Sequence, residues 1–66
     1  MTALKPGDKV SVARWDKSIR RRDRLGDPAE VLKITKTQMA ESGCMILVRG
    51  ASGREMSFDA GWVEKI

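Results

Sequence analysis

Val10 and Val12 alternate with polar neighbours in Lys9-Val10-Ser11-Val12-Ala13-Arg14-Trp15, the period-two pattern of a half-buried strand. The turn residues Leu4-Lys5-Pro6-Gly7-Asp8 lead into it. The alternation stops after Trp15, and the stretch from Asp16 to Leu25 does not restore it. Gly26-Asp27-Pro28 closes that stretch with turn chemistry, the proline pushing Asp27 toward extended backbone. A second strand is predicted from Ala29 to Thr37, with Val31, Leu32 and Ile34 as its apolar content and Lys33, Thr35 and Lys36 facing water. After the turn at Ser42-Gly43, the run from Cys44 to Arg49 is the most apolar and β-branched of the chain and reads as the central strand. Gly50-Ala51-Ser52-Gly53 reads as a tight hairpin loop with two glycines available for positive φ. Arg54 to Phe58 alternates again, placing Met56 and Phe58 on one side. Asp59-Ala60-Gly61 fits a single 3₁₀ turn before a closing strand, Trp62-Val63-Glu64-Lys65-Ile66.

These elements predict an all-β fold: one domain over residues 1–66, a small closed barrel of about five strands with a long basic loop between the first two. Closure removes the exposed edges that make a small open sheet adhesive. In this arrangement the chain resembles the SH3-like barrel families, including KOW and Tudor modules. The matching features are Pro6-Gly7-Asp8-Lys9-Val10 at the first strand, the long loop, the hairpin at Gly50 to Gly53 and the short turn before Trp62-Val63. The resemblance implies a binding module. Methylated-residue readers of that class use an aromatic cage, whereas Trp15, Phe58 and Trp62 are the aromatic residues here and the glycine-centred KOW signature is not matched. The chain is also similar to plasmid-borne type II dihydrofolate reductases, SH3-like barrels that form tetramers around a pore. It shares the Gly7-Asp8-Lys9-Val10 start and the Val63-Glu64-Lys65-Ile66 end. Where their pore carries Val-Gln-Ile-Tyr, this chain has Glu55-Met56-Ser57-Phe58, without the amide and the phenol, so none of that active site carries over.

Charge changes the picture more than composition does. Six of the 13 basic residues and two of the nine acidic ones lie between Arg14 and Arg24, so this segment carries the whole formal excess of +4 and the remainder is neutral. Arginine offers forked donors to phosphate oxygens, and an aromatic ring beside them offers a surface on which a base can stack. Arg14, Trp15, Lys17, Arg20, Arg21, Arg22 and Arg24 are therefore the candidate binding residues, with nucleic acid, DNA or RNA, as the favoured partner. The alternative is an adaptor or inhibitor that docks the same loop on an acidic protein surface, the kind of compact module that phages and other mobile elements often encode. The bland reading is a solvated loop whose arginines pair with Asp16, Asp23 and Asp27. The segment also admits a second conformation, in which Ser18 caps a two-turn helix from Ile19 to Leu25 and splits the arginines between faces.

The inventory disfavours catalysis. Without His, a base near neutral pH requires a strongly shifted Asp, Glu or Lys, and the acidic residues are scattered singly. One Cys and no His exclude both an internal disulfide and a zinc site. Cys44 reads as a small buried hydrophobe, Trp62 as a packing residue, Trp15 as either packing or partner contact, and Met39, Met45 and Met56 as core or rim fillers. With no signal peptide and an apolar run of five residues at most, the expectation is a cytoplasmic, non-catalytic protein, monomer or homodimer, with no cofactor and no membrane contact.

Overall fold

The structure, a computed structural model, describes residues 4–19 and 24–66. It is built mostly of strands: β1 (Lys9–Ser11), β2 (Ala29–Lys36), β3 (Cys44–Arg49), β4 (Glu55–Asp59) and β5 (Glu64–Lys65), with a short helix α1 (Ala13–Ser18) and a 3₁₀ turn (Ala60–Trp62). The five strands form one antiparallel sheet in the order β4-β3-β2-β1-β5. β2, and not the more apolar β3, is thus the middle strand. Phe58, Ile46 and Ile34 lie in register across one end of the sheet, and Met56, Val48 and Val31 across its centre. Their inward side chains join Val10, Val12, Leu25, Ala29 and Val63 in one core, with Leu4, Trp15 and Ala60 packed against it.

Period two does not run unbroken through β2. The pairing shifts between Val31, which faces Val48, and Lys33, which faces Leu47. Leu32 is the extra residue of this bulge, and it returns Ile34 to the inward face that strict alternation from Val31 would have denied it. The adjacent Val31-Leu32 pair is the trace of that shift in the sequence.

The first strand is shorter than its pattern. Alternation predicts a strand to Trp15, but β1 ends at Ser11 and residues 13–18 turn into α1. The helix begins without a side-chain cap at Val12, although Ser11 Oγ accepts the Ala13 N–H (3.3 Å). At its other end Ser18 Oγ donates to the Trp15 carbonyl and Ile19 is extended (φ −114°, ψ 167°), so Ser18 closes a helix; residues 20–23 of the alternative helix from Ile19 to Leu25 lie outside the described residues. Six residues do not hold a helix by themselves. Trp15 supplies the packing, meeting Phe58 edge to face at 5.0 Å.

At the β3–β4 hairpin only Gly53 uses positive φ (89°). Gly50 has a different reason to be glycine: a Cβ there would lie 2.0 Å from the Leu25 carbonyl oxygen. The return leg of the long loop therefore lies directly on this hairpin. Leu25 is fully buried, Ser52 Oγ donates to its carbonyl (2.8 Å), and the Ala51 N–H donates to the Gly26 carbonyl (3.2 Å). The 3₁₀ turn falls where the sequence places one, with Asp59 capping it through the Gly61 N–H, but it takes in Trp62 and leaves β5 only Glu64 and Lys65.

Candidate functional site

Two carboxylates shape the basic segment. Asp16, on α1, accepts the backbone N–H of Leu25 (2.8 Å) and of Gly26 (3.3 Å). Asp27 accepts the Ser11 hydroxyl (2.7 Å) and the Val12 N–H (3.3 Å). Both acids are thereby engaged by main chain and a hydroxyl, and they tie the two legs of the loop together. The tether at Leu25 holds the preceding residue, Arg24, beside the helix that carries Arg14 and Lys17. Arg20, Arg21 and Arg22 lie outside the described residues.

Arg14, Lys17 and Arg24 are all exposed. Elsewhere Lys9 pairs with Glu30 (3.4 Å), Arg49 with Glu55 (3.1 Å) and Lys65 with Asp8 (3.8 Å), whereas the exposed Lys5, Lys33 and Lys36 form no ion pair among the described residues. Arg14, Lys17 and Arg24 form no ion pair among the described residues. The Arg14 guanidinium instead lies over the Trp62 ring, 4.8 Å from its centroid.

One of the two indoles departs from its expected role. Trp15, offered by the sequence as a stacking platform or a packing residue, is half-buried with its ring against Phe58. Trp62, expected to pack, is 40% exposed. The signal for this was in the pattern: Val63 is the inward residue of its stretch, which turns Trp62 and Glu64 outward. Beside the Trp62 ring is a small cleft of about 90 Å³ bounded by Ser11, Ala13, Arg14, Gly61 and Glu64.

A larger open groove of about 740 Å³ lies on the other side of Glu64, floored by Leu4, Ile34, Ile46 and Val63. Cys44 is half-buried on its wall and not fully enclosed as the sequence predicts. Met39 is no filler: it is 96% exposed on the loop between β2 and β3, while Met45 and Met56 are half-buried. That loop is fastened to the 3₁₀ turn by Asp59, which accepts the N–H of Gly61 (3.0 Å) and of Ser42 (3.1 Å). These bonds, the one from Gly61 foremost, hold the Asp59 carboxyl below its ordinary value of 3.8.

Among the described residues no group of three or more His, Cys, Asp or Glu is placed to hold a metal ion, and no helix is long and apolar enough to cross a membrane. Comparison of the chain with protein families, with curated proteins and with solved structures finds no match.

Proposed function

We propose that this protein is a small, non-catalytic nucleic-acid-binding module, an SH3-like barrel that presents its basic first loop to phosphates. The sheet order, the long loop between β1 and β2, the 3₁₀ turn before β5 and the single core fed by all these segments support the barrel. One observation carries the function: Asp16 and Asp27 accept hydrogen bonds from backbone N–H groups and the Ser11 hydroxyl, while Arg14, Lys17 and Arg24 are exposed without ion-pair partners among the described residues. A loop neutralised by its own carboxylates would leave little charge for a ligand. Here Asp16 and Asp27 order the main chain, and the cations face outward. Lys17 and Arg24, with Arg20, Arg21 and Arg22 between them in sequence, take the phosphates.

Salt dependence of binding tests this. If four arginines (20, 21, 22 and 24) each neutralise one phosphate, log K against log [salt] falls with a slope of about −3.6 on duplex DNA and about −2.8 on a single strand. Replacing the four by Gln removes most of that slope and leaves the protein folded, because exposed charges contribute about 0–1 kcal/mol each. Polyglutamate of equal charge is the control. Equal binding to polyglutamate, or no binding to nucleic acid at low salt, rejects the reading and points to an acidic protein surface.

A further inference from the structure

We infer that Trp62, with Arg14 above it, is a stacking clamp for one unpaired base, so that the nucleic acid this protein prefers is single-stranded. The inference rests on the nucleic-acid reading and goes further by assigning the ligand class and the residue that selects it. Trp62 is the most exposed aromatic ring among the described residues. It stands at the end of the 3₁₀ turn, fixed on both sides: the Gly61 N–H is capped by Asp59 and the Val63 N–H donates to the Ala60 carbonyl (3.2 Å). A rigid base under an open ring is what stacking needs, because little order is lost on binding.

Arg14 fits the same role. Its guanidinium contacts the indole face and has no acidic partner among the described residues. A guanidinium plane stacks on a base as readily as on an indole. Lifting it admits a base between the two planes and leaves the arginine stacked on the base's other face.

The surrounding charge settles which part of a nucleotide enters. Glu64 lines the cleft beside the ring, next to its cross-strand partner Ser11. A carboxylate there repels a phosphate and accepts a hydrogen bond from a base's exocyclic amino group. The backbone is then left to Lys17, three residues from Arg14 on α1, and to Arg24, next to the buried Leu25. In a duplex the base faces are occupied by their neighbours in the stack, so this contact is lost.

The experiment measures affinity for a mixed-sequence single strand and for its duplex with the wild type and with Trp62→Ala, Trp62→Phe and Arg14→Gln. Trp62→Ala is expected to weaken single-strand binding roughly 5- to 150-fold and to leave duplex binding within about twofold. Trp62→Phe restores part of the loss, since a smaller ring still stacks, and Arg14→Gln weakens single-strand binding beyond its effect on the duplex. In Trp15→Phe, where Trp62 is the remaining indole, the single strand quenches fluorescence and the duplex does not. If wild type binds both forms and Trp62→Ala weakens them equally or not at all, the clamp is overturned while the phosphate-binding loop stands. If wild type binds neither form at low salt, the underlying reading falls with it.

Discussion

Gly50 and Asp59 illustrate how single residues position this site. Any side chain at Gly50 meets main chain: the carbonyl oxygen and carbon of Leu25 would lie 2.0 and 2.6 Å from its Cβ. Backbone cannot rotate away as a flexible side chain can. Gly50→Ala is therefore expected to cost about 1–3 kcal/mol or more and to lower the melting temperature by roughly 4–8 °C per kcal/mol. A melting point unchanged from wild type would mean that the loop does not rest on the hairpin. Asp59 makes a pH prediction. Its folded value is depressed, so its stabilising effect is present above 3.8 and is lost as pH falls through the lower folded value. The stability gap between wild type and Asp59→Asn should be open near neutral pH and close in strong acid, as thermal melts across that range will show. A gap that persists unchanged into strong acid contradicts the assignment. At this scale the sequence was legible where alternation decides: Val10, Val12, Val31, Ile46, Val48 and Phe58 are all buried. It was not legible at Met39 or Leu25, whose exposure and burial depend on where a loop lands.

Among the elements, α1 was the least foreseeable. Period two runs through Val12, but the chain leaves the sheet at once, and the helix lacks a side-chain cap and has too few residues to be stable alone. Its stability is tertiary, from Trp15 on Phe58 and from Asp16 on the returning loop. No window of local sequence contains those partners. β2 was legible in extent but not in phase, because the bulge at Leu32 resets which residues face inward. The candidate site was legible as charge and not as geometry: the excess of cations was countable, whereas the engagement of Asp16 and Asp27 by backbone donors was not. That engagement is testable at the element scale. Asp16→Ala leaves the Leu25 and Gly26 N–H groups without their acceptor, at a cost of about 1.5–3 kcal/mol. Amide exchange at Leu25 and Gly26 should accelerate well beyond that at Ile46 and Val48 in the sheet. Equal acceleration at all four sites would show that the loop opens only when the whole domain unfolds.

For the molecule as a whole, the return of the basic segment at Leu25 and the core are one structure. A chain of 66 residues buries only about 60% of its unfolded surface, so its stability is expected to be a few kcal/mol. Leu25, one residue after the basic segment, belongs to the same core as the strands, and Asp27 and Asp16 tie the loop's ends to β1 and α1. A ligand that also uses the folded contacts at Arg14 and Trp62 binds the folded state in preference to the unfolded chain, so linkage sets an upper bound. Linkage then gives about 2.7 kcal/mol of added stability at a single-strand concentration of 100 times Kd, a rise in melting temperature of roughly 11–22 °C for a domain of this size. Because affinity falls with counterion release, the same oligonucleotide concentration should give a much smaller rise at high salt. Replacing Arg14, Lys17 and Arg24 together by Gln should cut the rise at low salt while moving the melting point of the free protein little. Exposed charges and one exposed guanidinium–indole contact are each worth only about 0–1 kcal/mol. A melting point that rises equally at low and high salt would assign the stabilisation to something other than phosphate contacts, and one that does not rise at all would separate the loop from any nucleic-acid ligand.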